Sequence, residues 1–491
     1  MYDASCRAAL RIPSGWLTAA DPVGQVGVTK STEGPIVIDN LASLRSLTSR
    51  RDFLRAVAMG GAVVLSGGLL AGCEDSSNTG GLTGPGTGAT LTLDFAKGDV
   101  ALFQYLFLLE QLEADFYRRV VANFPSSDFK SADKLVLTDI GNHESVHRDV
   151  IGALLGGDGA FRIAPLYESL TFRVRADTLA YAKDVEDLVL GACAGVAPYF
   201  ADSSNLALVT RLASVEARHS AAIRDLISPL GSTFAPSVFE LALTPTVVAT
   251  AVQPSIEEKL AFASAPATFS SASSATAQAP ADVVEALQTC LMVAQLQSDL
   301  YRRGLAVSGL VPTADVSVFT TTGSHEASHV STLQSLISSR GAVPRSAPAF
   351  DYAAKGNLPG FAFLPAQYAT FAMLAQALED LGVRTWLGQL ATLVQDKAAL
   401  ASGLSMHAVQ ARHAAEVRRL RGKKGWVTSN NRDDLPDFMQ VVYDGEDKTL
   451  QGSVNALSLA AEVGGSTTAT EAFDEPLTTA RTTAFLALFL P

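Results

Sequence analysis

The chain has 491 residues, 48% of them hydrophobic and 18% charged, so it is long enough for two or more domains with real cores and too apolar to be largely disordered. Its formal net charge is −12, and that acidic balance supplies no general attraction to phosphate backbones, which sets nucleic-acid binding aside. Four cysteines, widely scattered, do not make a disulfide framework.

In chain order, residues 1–73 read first. Ser49–Arg55 is SRRDFLR, residues 56–72 are an apolar run rich in Gly and Ala, and Leu70–Cys73 is LAGC. Together they resemble a twin-arginine export signal ending in a bacterial lipobox, with Arg50 and Arg51 as the arginine pair and Cys73 as the lipidated residue. That likeness implies passage through the twin-arginine export machinery, attachment to a membrane through an N-terminal lipid, and a place in the cell envelope or periplasm. About 48 residues precede the arginine pair, so either the region before it is long or translation begins later. With Cys6 and Cys73 so placed, Cys193 and Cys290 remain, both inside apolar helical pattern and expected as ordinary buried thiols.

Residues 74–92 have the Gly/Ser/Thr composition of a flexible tether, and 257–281 read as a linker. These divide the chain into a first domain at 93–256, a second at 282–425 and an irregular tail at 426–491. The two domains repeat each other. EADFYRR (Glu113–Arg119) recurs as QSDLYRR (Gln297–Arg303), HESVH (His143–His147) as HEASH (His325–His329), VEDL (Val185–Leu188) as LEDL (Leu378–Leu381), and VEARH (Val215–His219) as VQARH (Val409–His413). FELALT (Phe239–Thr244) has an echo in FDEPLT (Phe473–Thr478). Helical periodicity is expected over 97–124, 128–156, 173–200 and 203–229, then over 282–306, 313–340, 365–388 and 391–421. Strand alternation is scarce, so the expected fold is all-α: two tandem four-helix bundles, each with a long crossover between its second and third helices.

The inward stripes of the first domain contain acids: Glu110 and Glu113 with Tyr117, Glu144 with His147, Glu186, and Glu216 with His219. Several carboxylates buried together in an apolar core are prohibitive unless a cation neutralises them. Four of them with two neutral imidazoles balance two divalent ions, and mixed oxygen and nitrogen donors suit iron or manganese. One Glu from each of two helices and a Glu-x-x-His from each of the other two is the dimetal carboxylate pattern of helical bundles.

Through LLEQLEADFY, HESVH, VEDL and VEARH the chain resembles the ferritin-like superfamily, and within it the desiccation-related ferritin-like proteins. The resemblance implies that Glu144 and Glu216 bridge two metals, that Glu110 and His147 complete one and Glu186 and His219 the other, and that Glu113 and Tyr117 stand just behind. His143 is a further neighbour of the same face. Where that family more usually has an aromatic after the third-helix Glu, this chain has Cys193.

In the duplicate, Ala294 and Gln297 stand where Glu110 and Glu113 were, and Gln410 replaces Glu216, leaving Glu326, His329, Glu379 and His413. Two carboxylates do not balance two divalent ions, so the second domain is expected to hold one metal or none, its Glu and His paired by hydrogen bonds. His407 lies off the inward stripe and reads as an ordinary histidine. A competing reading makes HESVH a zinc-peptidase helix, with His143 and His147 as ligands and Glu144 as the base. The run after His147 lacks a third His, Glu168 is a poor substitute ligand, and VEARH would be left unexplained. The function expected is oxygen, peroxide or iron redox chemistry in envelope protection. The alternative is a non-enzymatic stress-protective protein whose metal holds the helices together.

Overall fold

The computed structural model describes residues 89–167, 170–264 and 280–491. The expected export segment with Arg50, Arg51 and Cys73 lies outside these residues, as do Glu168 and most of the tether and linker.

Four long helices build the first half: α1 (Asp99–Asn123), α2 (Ser131–Gly159), α3 (Arg175–Val196) and α4 (Ser203–Ile227). After the short α5 (Pro245–Val252), the second half repeats them as α6 (Ala281–Ala306), α7 (Val316–Ser338), α8 (Tyr368–Leu393) and α9 (Lys397–Leu420). Two of the starts have a clear chemical cause. Asp202 accepts from the Ser204 and Asn205 amides at the head of α4, and Asp396 from the Ala399 amide at the head of α9, so each carboxylate satisfies amides that the first turn leaves unpaired. In each half the first helix lies along the second and the third along the fourth. Among the described residues, no helix is long and apolar enough to cross a membrane.

The halves are not separate beads. α4 packs along α9, with α3 and α8 flanking the seam. Leu190, Ala217, Val383, Ala408, Ala411 and Ala414 form a common core there, the small alanines letting the helices approach closely.

Two expectations are corrected. Residues 90–92, expected in the tether, and 259–264, expected in the linker, are strands: β1 (Thr90–Asp94) pairs in parallel with β2 (Lys259–Ser264), Leu93 opposite Phe262. Five or six residues of alternating TLTLD and KLAFAS are too short to register against the Gly- and Ser-rich runs beside them. The tail, expected to be irregular, adds a short hairpin, β3 (Leu450–Gln451) and β4 (Val454–Asn455), and three short helices, α10 (Ala456–Leu459), α11 (Ser466–Glu471) and α12 (Thr479–Leu486). It buries Trp426, Met439, Tyr443, Phe473 and Phe485. Each of these side chains fills a separate gap instead of forming a stripe, so periodicity could not reveal them.

The echoed FELALT and FDEPLT segments are exchanged between halves. Val238, just before Phe239, accepts a hydrogen bond on its carbonyl from His329 Nε2 at 3.0 Å, and the Phe239 ring lies 6.0 Å from the His329 ring. Reciprocally, the Ala472 carbonyl accepts from His147 Nε2 at 2.6 Å and the Phe473 ring lies 5.2 Å from His147. Each segment then returns to its own half: the Leu243 amide donates to Gly191 O and the Leu477 amide to Arg384 O, both at 2.9 Å. Glycine is required on the receiving helices. A Cβ at Gly195 would lie 1.9 Å from Leu243 O, and one at Gly388 2.0 Å from Leu477 O.

Candidate metal centre

Glu110 and Glu113 come from α1, His143, Glu144 and His147 from α2, Glu186 from α3, and Glu216 and His219 from α4. All eight are fully buried. The His147 Nδ1 atom lies 2.8 Å from Glu216 Oε1, 3.4 Å from Glu144 Oε2 and 3.6 Å from Glu110 Oε2. His219 Nδ1 lies 2.7 Å from Glu144 Oε1 and 3.8 Å from both Glu186 Oε2 and Glu216 Oε2. Two overlapping groups result, Glu110–Glu144–His147–Glu216 and Glu144–Glu186–Glu216–His219, each with donor atoms within 4.8 Å of one another and able to hold a metal ion.

Hydrogen bonding fixes the imidazoles. A carbonyl only accepts, so His147 Nε2 carries the proton it gives to Ala472 O, and its Nδ1 turns towards three carboxylates. His219 Nε2 is held 2.9 Å from His143 Nδ1, which turns the His219 Nδ1 inward in the same way. None of the oxygens of Glu110, Glu113, Glu144 and Glu216 has a partner with hydrogen-bond geometry, and neither does the Nδ1 of His147 or His219. Lone pairs therefore face lone pairs across the pocket, an arrangement that only a cation or added protons can settle.

Protons show where the strain lies. Burial, then repulsion from Glu216, pushes the Glu110 carboxyl well up, and burial with the neighbouring Glu144 does the same to Glu113. Burial also raises Glu186, against the pull of His219. Burial opposes a charged His219, yet the Glu144 carboxylate outweighs it and lifts the imidazole to about 10. Tyr117 sits behind the pocket and donates from its hydroxyl to Glu186 Oε1.

His143 does not face the carboxylates. Its Nδ1 meets His219, its Nε2 lies 3.4 Å from Glu471 Oε2, and it belongs to neither ion-holding group. The zinc-peptidase reading needs His143 and His147 on one ion, so the geometry overturns it.

The sequence profile of the ferritin-like domain matches residues 98–229 and again 282–423, together more than half of the chain. The chain belongs to the ferritin-like family. No curated protein and no solved structure matches it.

The second ferritin-like bundle keeps the frame and loses most of the frustration. Glu326, Glu379 and His413 still gather within 4.8 Å, and His329 Nδ1 stands 3.3 Å from Glu326 Oε1. Protein donors now satisfy three of the four acid oxygens, leaving only Glu326 Oε2 without a partner. Tyr301 gives its proton to Glu379 Oε1 at 2.6 Å, Gln410 donates to Glu379 Oε2, and His413 Nδ1 is hydrogen-bonded to Glu326 Oε1 at 3.0 Å. Although burial works against it, His329 and His413 hold the Glu326 carboxyl down at about 2. Gln297, at the position of Glu113, spends its amide on Leu378 O at 2.8 Å.

Sequence reasoning missed several residues that frame the site. Arg218, next to His219, reaches Asp474 at 2.8 Å and Asp380 of the other half at 3.2 Å. Its counterpart Arg412 reaches Glu240 at 2.9 Å and Asp187 at 3.2 Å. Each arginine thus ties the exchanged segment and the opposite third helix to the fourth helix of its own half, which carries His219 or His413. A signal existed: VEARH/VQARH keeps its Arg, and VEDL/LEDL its Asp, in the half where the fourth-helix Glu has become Gln410. Trp426 stands edge-on, 5.0 Å from His143 and 5.8 Å from His219, and Glu471 is gripped by Lys424 at 2.9 Å. Both lie in the tail, where no helical stripe flagged them.

Proposed function

We propose that the first ferritin-like bundle carries a dimetal carboxylate centre of iron or manganese. Glu144 and Glu216 would serve both ions, Glu110 and His147 would hold one, and Glu186 and His219 would hold the other. One observation carries the reading. Each of the two central carboxylates turns one oxygen to His147 and the other to His219, with no protein donor for either oxygen. Four carboxylates and two imidazoles suit two divalent ions in charge and in donor type. Such a pair, when bound, supplies electron exchange with dioxygen or peroxide, or the oxidation of iron.

The chain's own residues prepare that chemistry. Ala472 O and His143 fix the two imidazole orientations, the support that ligand histidines generally receive from groups behind them. Burial and the neighbouring Glu144 push the Glu113 carboxyl up beside the pocket, and Tyr117 steadies Glu186. Phe473 and Trp426 close the side on which the histidines approach the tail, excluding water. The resemblance of Arg50, Arg51 and Cys73 to an export and lipidation signal, with the likeness to desiccation-related proteins, supports a role in envelope stress protection.

A second reading, a metal that only braces the bundle, is favoured by the complete burial of every candidate ligand. Elemental analysis of protein isolated from its own host is expected to find about two transition-metal ions per chain. Glu144→Ala and Glu216→Ala should lose them and Glu326→Ala should not. Peroxide-dependent oxidation of ferrous-loaded protein, absent in Glu144→Ala, separates a redox centre from a brace, and metal-free native protein would overturn both readings.

A further inference from the structure

Two neighbouring residues of the tail stand behind both candidate ligand histidines. Ala472 does so directly, its carbonyl accepting from His147 Nε2. Glu471, the last residue of α11, does so at one remove: its Oε2 lies 3.4 Å from His143 Nε2, and His143 Nδ1 lies 2.9 Å from His219 Nε2. The two imidazole planes are nearly parallel, 11° apart, and Trp426 stands edge-on to both rings, keeping water from this row.

A pair of imidazoles can pass a hydrogen bond either way, because each ring nitrogen donates or accepts according to where the proton sits. One end must set the direction. An ionised carboxylate only accepts. The Lys424 ammonium, 2.9 Å from Glu471 Oε1 and 3.0 Å from Oε2, keeps this one ionised, and the Thr428 hydroxyl donates to Oε1. Burial works against the charge, yet His143, Thr428 and Lys424 together hold the carboxyl below its usual range. His143 therefore carries its proton on Nε2 and leaves Nδ1 bare to accept. His219 in turn donates from Nε2, so Nδ1, which it turns towards the acids, is the nitrogen whose proton an ion can replace.

The duplication supplies a control. His325 Nδ1 and His413 Nε2 repeat the imidazole contact at 3.0 Å. Where Glu471 stands in the echoed segment the second copy has Ser237, and where Asp139 meets Lys424 at 3.0 Å it has Thr321. A hydroxyl donates as readily as it accepts and sets no direction. The half that keeps Glu110 and Glu216 thus keeps an anion behind the row, and the half with Ala294 and Gln410 in their place does not.

We infer that Glu471 is a positioning residue for the candidate metal centre: acting through His143, it fixes which nitrogen of His219 is offered to an ion. The match to the ferritin-like domain ends at residue 423, so this control belongs to the tail that follows it. The inference rests on the dimetal reading for its purpose but not for the direction of the row.

Glu471→Gln keeps the shape and reverses the polarity. Lys424 and Thr428 both donate to Oε1, so the amide oxygen takes that place and the NH2 group turns to His143, a donor where an acceptor stood. Exchanging a carboxylate for its amide behind an imidazole preserves the geometry and upsets the tautomer. The full-length variant should keep the circular dichroism of the wild type while its affinity for manganese falls by about 10–100-fold. Two-bond nitrogen–proton NMR of histidine-labelled, metal-free wild type, with the His143 signals assigned through His143→Gln, should place the His143 proton on Nε2. A proton on Nδ1 overturns the row. A Glu471→Gln protein that binds manganese as tightly as the wild type overturns the role of Glu471, because a residue that merely covers the site is replaced without loss by an amide of the same shape. If the wild type binds no metal, the dimetal reading fails while the NMR spectrum still decides the direction, as it does should the variant fail to fold.

Discussion

Gly388→Ala tests the exchanged architecture directly. The new Cβ would stand 2.0 Å from Leu477 O and 3.1 Å from its carbonyl carbon, so the segment must retreat by at least ~1 Å to relieve the overlap. Overpacking of this kind costs about 1–3 kcal/mol. The retreat also weakens the Leu477 amide bond to Arg384 O, 2.9 Å long, a buried hydrogen bond worth about 1 kcal/mol. Alanine returns about 1 kcal/mol through helix propensity, leaving a net loss of about 1–3 kcal/mol. The decisive readout lies elsewhere. Leu477 is four residues from Phe473, which covers His147, so a substitution in the second half should loosen metal binding in the first. Denaturant unfolding gives the stability, and metal content after dialysis against a weak chelator gives the coupling. A Gly388→Ala protein with wild-type stability and wild-type metal retention would refute the exchange.

Arg218→Met should destabilise the chain by about 3–5 kcal/mol, because it strands the buried Asp474 and Asp380 carboxylates, and denaturant unfolding would read it. Burial and the nearby Asp225 raise the Glu416 carboxyl to about 8. Its folded form therefore holds a proton that the unfolded chain releases near the ordinary glutamate value of 4.5, and stability falls as pH rises from 4.5 towards 8. Glu416→Gln should raise Tm at pH 8 and leave it nearly unchanged near pH 4 in paired melts. With the Glu144 carboxylate lifting His219 to about 10, the metal-free pocket holds protons at neutral pH that a metal must displace. Loading iron or manganese at pH 7 should release acid in a pH-stat and tighten as pH rises; proton-neutral loading would contradict the assigned ligands.

The helices and the acids were legible because both depend on helical periodicity. A stripe that places Glu110, Glu144, Glu186 and Glu216 inward is written in local spacing, and the observed α1 to α4 follow the expected spans within a few residues. Decay of the second site was legible too, since Gln410 and Ala294 replace charges outright. Tertiary partners were not. The FELALT and FDEPLT echo showed that something repeats, but a short extended segment carries no indication of which bundle it covers. Asp187 and Arg218 sit beside ligands in the chain yet point across the seam, and the spacing within a single helix cannot name a partner on another.

The crossing of the two segments sets a timetable for synthesis. His147 waits for a carbonyl 325 residues downstream, so helices α1 to α4 can assemble early around their acids but cannot acquire their final covering until the far end of the second half has left the ribosome. A nascent or truncated chain would present an unsheltered carboxylate pocket that takes up and gives up ions readily, and only a finished one would trap them. Tight retention of metal would then serve as a proofreading mark, distinguishing complete molecules from fragments.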